Sequence, residues 1–376
     1  MNNIQKMIDM SDTEKRTKKE SFEGQSYIEG LRNEIRTIRS RARRKRVRGE
    51  EPTACWVEEE VLRGEETKAL VIIFSTVGCY FAETSGCSMC GYTNESITAK
   101  PKIEEINRQF DYAMKKYSPQ TKVLKIFTSG SFFDKREIPE EAQYEILGRA
   151  KEKFSKIIVE TRSEFVNENM LLKAKDKGGN VEIAIGLESS NDNVLRYSVN
   201  KGSSFMQFKN ACMVANKVGV SVKAYVIVKP PFLTEREGYY DAYCTVKDVC
   251  EIENISTISF NPVNVQSYTL VERMYSRGEY RPPWLWTVAK VLLDSKKVVG
   301  ERIRLISSPT AGGTSRGAYN CDKCNSKVLE SIRRFSLKQD MEILEKVFEE
   351  GCECLESWKD ILDLEGFMQS CVPMST

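Results

Sequence analysis

This sequence predicts an α/β fold built on a parallel sheet, and three observations predict it. Short apolar runs recur at 69–74, 123–127, 157–160, 181–187, 220–228 and 257–260, each with the length and flanks of a buried strand. Longer stretches with helical spacing lie between them, for example 139–154 and 205–218. Polar or glycine-rich segments follow the runs, as in "TSGSFFD" after Phe127 and "ESSNDN" after Leu187. Such alternation makes parallel pairs joined by right-handed crossovers. Six βα units are legible, with 302–307 a further strand candidate.

Taken in order, the chain opens on a polar stretch, 1–20, that reads as disordered. From 26 to 48 a helix is expected, because Ile28, Leu31, Ile35 and Ile38 recur at helical spacing. Its second half holds nine Lys or Arg between Arg32 and Arg48 against one acid, Glu34. So many like charges repel unless an anion offsets them, and a phosphate backbone is such an anion. Arginine also stacks on unpaired bases. Arg36, Arg39, Arg43, Arg44, Lys45, Arg46 and Arg48 are therefore the expected RNA contacts. An acidic groove on a partner protein is the alternative target. Trp56, Tyr92, Trp284 and Trp286 are candidates for base stacking, although each also suits a core. Three regions are expected: a basic arm over 1–55, a barrel over 56–300 and a cysteine-rich helical extension over 301–376. Since no cofactor motif precedes Ala69, the arm is expected to stand apart from the cofactor chemistry.

Composition narrows the chemistry. The chain has 376 residues, 12 cysteines, no histidine and a net charge of +3. That length supports one large domain with appendages. Imidazole catalysis is excluded. Many cysteines without an apolar leader point to a reducing cytoplasm, where clustered thiols hold metal. No apolar run reaches about 18 residues, so no membrane span is expected.

Cys79, Cys87 and Cys90 lie in "GCYFAETSGCSMCGY", directly after the first apolar run. A full structural site takes four ligands. Three thiolates without a nearby fourth suit a [4Fe–4S] cluster with one iron left open. A zinc loop, or three unrelated thiols, is the plainer reading. In spacing the trio resembles the radical S-adenosylmethionine (SAM) enzymes, with the stretched first gap of the Elongator-type branch that acts on tRNA. The residue before the last cysteine, usually aromatic there, is Met89, while Tyr92 follows two places beyond.

Later motifs continue the resemblance. The fold it implies is a partial (β/α)6 radical SAM barrel. Thr128, Ser129, Gly130 and Ser131 stand where that group places a small-residue loop for the SAM amino group. "VETRSEFV" is similar to its third strand, which makes Glu160 and Arg162 candidate SAM contacts. "GLESSNDNVLRYSVNKG" is similar to its fourth, where Glu188, Ser189, Arg196, Asn200 and Lys201 match, and adds Glu188, Ser189 and Arg196 as candidate SAM contacts. A SAM carboxylate needs a cation such as Arg196, and its hydroxyl and amino groups need acceptors such as Glu188 and Ser131. All these residues follow strand ends, where β/α barrels carry their sites.

Beyond residue 260, Asn261, Asn264 and Gln266 are candidate substrate contacts, with a satisfied polar turn as the alternative. Cys321 and Cys324, then Cys352 and Cys354, form two close pairs that suit a four-thiolate zinc site. A second iron–sulfur cluster, or unmetallated helix-end thiols, are the other readings. Cys55, Cys212, Cys244, Cys250 and Cys371 are isolated and read mostly as small buried hydrophobes.

Taken together, "PTACWVEEE", "GCSMCGYTNES", "TSGSFFD", "FNPVNVQ", "GTSRGAYNC" and "CEC" with its following Trp resemble the archaeosine-synthase radical SAM subunits. The resemblance implies an archaeal lyase acting on tRNA that carries a lysine-modified 7-deazaguanine. It implies cleavage of the lysine C–N bond to leave archaeosine. It further implies the lysine-adding synthase subunit as partner and a reductant such as ferredoxin or flavodoxin. Another Elongator-type tRNA-modifying enzyme, or a non-catalytic zinc module that binds tRNA, are the rival readings.

Overall fold

The computed structural model describes residues 24–42, 50–367 and 372. Its centre is one sheet of eight strands in sequential order. The strands are β1 (Ala54–Leu62), β2 (Glu65–Ile73), β3 (Thr121–Phe127), β4 (Lys156–Thr161), β5 (Val181–Glu188), β6 (Ser221–Val228), β7 (Ile255–Pro262) and β8 (Arg304–Ser307). From β2 to β8 every pairing is parallel. The six expected runs are β2 to β7, and the further candidate is β8. The crossovers carry α3 (Ile103–Met114), α4 (Glu140–Lys151), α5 (Glu168–Gly178), α6 (Phe205–Lys217), α7 (Glu235–Cys250), α8 (Leu270–Ser276) and α9 (Leu285–Val299).

One strand was not expected. β1 pairs antiparallel with β2 from Ala54 opposite Ile73 to Leu62 opposite Glu65. The turn between them is Arg63–Gly64, with φ of 54° and 83°. Two successive positive φ values make the tight hairpin whose twist suits flanking strands. Arginine is an unusual first residue there, so the hairpin is hard to see in the sequence.

The sheet has two different faces. Outward positions such as Leu70, Ile72, Leu124, Ile126, Val159, Ile183 and Ile185 are fully buried under the crossover helices. Inward positions mix a small apolar cluster of Ala69, Val123, Ile158 and Ala184 with the polar Lys125, Glu182, Lys223 and Tyr225. Lys125 is only 6 % exposed, and its ammonium meets Glu58 at 2.7 Å and Glu60 at 2.5 Å. β1 thus supplies the carboxylates that neutralise a lysine inside the curl. Arg304 of β8 donates to Val61 O of β1 at 3.4 Å, so the two edge strands approach each other at the bottom.

Three C-terminal helices close the far edge: α10 (Asn325–Lys338), α11 (Glu342–Glu350) and α12 (Glu353–Glu365). Side chains of α10 and its cap pair with free backbone of β8. Ser336 Oγ accepts from Ser307 N at 3.0 Å, and Gln339 Oε1 accepts from Leu305 N at 2.9 Å. The core continues from the sheet into these helices through Val328, Ile332, Phe335, Leu344 and Trp358.

The N-terminal helix α1 covers 24–39 and ends in a turn at 40–41, short of the expected residue 48. Ile28, Leu31, Ile35 and Ile38 are buried, as their spacing requires. Arg43, Arg44, Lys45, Arg46 and Arg48 lie outside the described residues, as does Cys371. Cys212 is fully buried as expected, whereas Cys244 is exposed on α7. Among the described residues no helix is long and apolar enough to cross a membrane.

Candidate active site

The loop leaving β2 carries Cys79, Cys87 and Cys90 at the C-terminal rim of the sheet. Gly78 turns the chain at φ 81°, and α2 (Phe81–Thr84) leads to Gly86, also at φ 81°. The Cys87–Cys90 turn closes with Cys90 N donating to Cys87 O at 3.3 Å. Ser88 between them is anchored on both sides. Its N–H donates to Val199 O at 2.9 Å and its carbonyl accepts from Leu270 N at 3.0 Å. Its hydroxyl donates to Ser198 O at 2.8 Å.

The three thiols are spread rather than gathered. In the described residues only the C-terminal cysteines bring their ligand atoms within 4.8 Å of one another. A single zinc with bonds of about 2.3 Å would draw thiolates to roughly 3.8 Å in a tetrahedron. Spread thiols fit a group with several metal centres, one thiolate to each iron. Burial raises the pKa of all three thiols, and each faces one cation as its strongest opposing charge. That cation is Arg162 for Cys79, Lys201 for Cys87 and Arg39 for Cys90. Arg162 Nη1 lies 3.8 Å from Cys79 Sγ, and its buried Nη2 has no partner. Thiolates need such compensation, so the donor set fits an anionic cluster.

Carboxyl groups line the neighbouring strand ends. Burial pushes the Glu160 carboxyl up to about 8, and the nearby Glu137 and Glu188 add to the shift. Glu160 Oε2 accepts from Thr128 N at 3.3 Å. Glu188 sits at a β5 bulge with φ 76° and accepts from Lys201 Nζ at 2.8 Å. Glu137 was not singled out in the sequence. It accepts from Ser131 N at 2.6 Å and from Thr76 Oγ1 at 2.8 Å, so it ties the second loop to the first. Burial pushes its carboxyl up to about 7. It lies just before the 139–154 helical stretch, where nothing in the sequence sets it apart from other acids. Gly130 explains the small-residue loop: a Cβ there would lie 2.7 Å from Cys79 Cα.

Other expected contacts are disposed differently. Ser129 reaches Tyr92 O at 3.3 Å, and Tyr92 is 56 % exposed on the rim. Met89 instead packs against the apolar clusters beneath the loop. Ser131 is fully buried with its hydroxyl against Thr161 at 2.8 Å. Ser189 is buried and donates to Asp241 at 2.7 Å. Arg196 is exposed in a π-helical turn (Val194–Val199), its guanidinium 5.5 Å from the Tyr197 ring centre. Asn261 is exposed at the end of β7. Asn264 accepts from Gln266 at 3.2 Å, and Gln266 accepts from Gly91 N in the cysteine loop. Trp286 is fully buried, while Trp56 is 38 % exposed on β1.

The arm does not stand apart from this loop. Arg39 donates to Thr93 Oγ1 at 2.9 Å, Cys87 O at 3.1 Å and Cys90 O at 2.5 Å. Its run of neighbouring arginines hid this role in the sequence. Arg36 keeps to the surface, where it and Arg32 line a cleft of about 360 Å³ with Phe81, Thr84 and Ser85.

At the opposite end of the chain, four cysteines meet. Cys321 Sγ lies 3.6 Å from both Cys324 and Cys352, and Cys324 lies 3.5 Å from Cys354. Cys324 and Cys352 are the N-cap residues of α10 and α12. Helix N-termini favour thiolates, and Trp286 Nε1 donates to Cys354 Sγ at 3.3 Å. Hydrogen bonds from its cysteine neighbours outweigh burial and bring the Cys321 thiol down to about 7. These contacts match the edge of a tetrahedral four-thiolate ion site.

The three-cysteine loop at the mouth of a half-open parallel barrel defines a radical SAM enzyme, and residues 73–239 match the family model described as the radical SAM superfamily. Such enzymes use a [4Fe–4S] cluster and SAM. The archaeosine synthase subunit beta of Methanosarcina acetivorans is 38% identical over 342 residues, spanning 90% of this chain and 97% of that protein. Its counterpart in Thermococcus kodakarensis is 34% identical over 322 residues, spanning 82% of this chain and 96% of that protein. A solved structure of Methanocaldococcus infernus Elp3 has a TM-score of 0.47 at 15% identity, covering 62% of this chain and 59% of that one. The chain belongs to the archaeosine synthase subunit beta family, and so is a radical SAM enzyme of tRNA modification.

Proposed function

We propose that this enzyme acts on tRNA bearing a lysine-modified 7-deazaguanine and breaks the lysine C–N bond, a lyase reaction that leaves the formamidine of archaeosine. The observation that carries this reading is 38% identity over 97% of a relative named archaeosine synthase subunit beta. When bound, the cluster and SAM supply one-electron reduction and hydrogen-atom abstraction. Cys79, Cys87 and Cys90 hold the cluster, and Arg162 and Lys201 balance its charge. Ser129, Gly130, Glu160, Glu188 and Tyr92 border the space for SAM, with Arg196 as the cation for its carboxylate. Ser131 and Ser189 serve from inside the wall. Asn261 and Asn264 face the substrate, and Gln266 steadies the loop beside them. Zinc at Cys321, Cys324, Cys352 and Cys354 holds α10 and α12 together. Arg36 and the cations from Arg43 to Arg48 contact RNA.

The partners that follow are tRNA, a lysine-adding synthase subunit and a reductant of the ferredoxin or flavodoxin type, all in the cytoplasm. The working division of the chain is an arm over 1–55, a barrel over 56–300 and an extension over 301–376.

The test is an anaerobic assay on tRNA carrying the lysine adduct, read by mass spectrometry. 5′-Deoxyadenosine and archaeosine should appear together. 5′-Deoxyadenosine with a different modified nucleoside would favour an Elongator-type activity instead. A chain that holds zinc but no sulfide would be a binding module.

A further inference from the structure

Arg39 lies on α1, well before the cysteine loop, yet its guanidinium is built into that loop. One nitrogen spans the carbonyls of Cys87 and Cys90, at 3.1 Å and 2.5 Å. The other terminal nitrogen donates to Thr93 at 2.9 Å. The Nε is buried without a partner. The loop is shaped to receive the group. A Cβ on Gly86 would lie 2.6 Å from Arg39 Cζ, and Gly86 holds φ 81°, so both space and backbone favour glycine there. The glycine before Cys87 therefore marks the seat of an arginine 47 residues upstream (86 − 39).

The helix that carries Arg39 is itself fixed to the loop. Leu31, Ile35 and Ile38 pack with Val263, Val265 and Leu270, against which Met89 also lies. One helical turn pair earlier, Arg32 Nε donates to Asn200 Oδ1 at 3.3 Å. Asn200 in turn donates to Gly86 O at 2.7 Å and Ser85 Oγ at 3.0 Å. Two arginines on one helix thus hold both ends of the segment from Ser85 to Cys90.

We propose that Arg39 is a positioning residue of the iron–sulfur loop, one that fixes the Cys87–Cys90 turn and sets the cluster's reduction potential by placing a cation behind Cys90. This rests on the radical SAM reading. A fixed positive charge favours the more negative, reduced state of a nearby centre. Its removal lowers the potential. Arg162 and Lys201 act beside the other two cysteines, so Arg39 completes a set of one cation per ligand.

The test reconstitutes the full-length chain anaerobically as parent, Arg39→Gln, Arg39→Lys and, as a surface control, Arg36→Gln. Iron and sulfide per chain, midpoint potential by redox titration with EPR, and tRNA affinity across a salt series are measured. Arg39→Gln should shift the one-electron equilibrium at least tenfold toward the oxidised form, about 59 mV. Arg39→Lys should recover part of that shift, and Arg36→Gln should keep the parental iron, sulfide and potential while weakening tRNA binding. Loss of iron from Arg39→Gln at an unchanged melting temperature, with Arg36→Gln fully loaded, would support the same role. Should Arg39→Gln not fold, Arg39→Lys is judged by the same two readouts. A loaded Arg39 variant with parental potential and spectrum overturns the proposal, and weaker RNA binding with a shallower salt slope would then return Arg39 to the RNA surface. A parent that binds neither iron nor sulfide would sink the radical SAM reading rather than the role of Arg39.

Discussion

The two cysteine sites of this molecule differ in the way that chemistry and scaffolding differ. At the barrel mouth three thiols are spread, each backed by a different cation from a different part of the chain: Arg39 from α1, Arg162 just after β4 and Lys201 after β5. In the C-terminal extension four thiols touch at 3.5–3.6 Å and are backed by two helix N-termini and an indole N–H. On the proposed reading the second arrangement is closed, since four thiolates would complete a tetrahedron around one ion, and the first would leave one iron of its cluster open. An open site needs its charge supplied by the surrounding protein. A closed one supplies its own rigidity.

The sharpest way to break this comparison is to remove one thiol from each site. Cys79→Ser, Cys87→Ser or Cys90→Ser should abolish the cluster and all SAM cleavage while circular dichroism shows the barrel intact. Any 5′-deoxyadenosine formed by such a variant would show that the trio is not the ligand set. Cys354→Ser should do the reverse, because metal binding at a closed site is folding free energy. It should cost more than about 4 kcal/mol in urea unfolding, with SAM cleavage following only the folded fraction.

A third test exploits the acids that border only the mouth. Glu137 is 1 % exposed and has its carboxyl pushed up to about 7 from 4.5. A raised folded-state value means its stabilising share is full below pH 4.5 and fades as pH rises through 7. The metal-free protein should therefore lose up to about 3 kcal/mol on this account between those values. Glu137→Gln should flatten that slope in urea titrations at pH 5 and pH 8, and an unchanged slope would discard the argument. The smallest effect belongs to Trp286→Phe. It removes the N–H donor to Cys354 while keeping a buried ring, and should cost about 1.5–3 kcal/mol if the acceptor is a thiolate. A value near zero would mean that the sulfur is held by metal alone.

Much of this was legible because period and spacing carry it. The apolar runs that became β2 to β7 follow directly from burial on the outward face. The cysteine trio and the two later pairs were visible as spacings. What stayed hidden depended on partners far away in sequence. Arg39 sits among arginines of the same charge and shape, and only the fold shows that one of them turns inward. Glu137 lies in a stretch with no periodic signature, and its role comes from Thr76 in the loop after β2. β1 was obscured by an Arg–Gly turn and by alternating glutamates whose inward partner, Lys125, lies across β2. Ser189 matched a motif, but its hydroxyl is spent on Asp241 inside the wall.

The pairing of β8 with α10 also bears on how this chain is made. β8 is an edge strand, and edge strands invite pairing with other chains. Its free backbone is taken by Ser336 and Gln339, which leave the ribosome some 30 residues after it (336 − 307 = 29). At roughly 5–20 residues per second, the nascent sheet carries an uncovered edge for a few seconds. A truncation just after Ser307 would make that interval permanent, and such a fragment should be sticky even though it keeps the three-cysteine loop and the strand-end motifs around it.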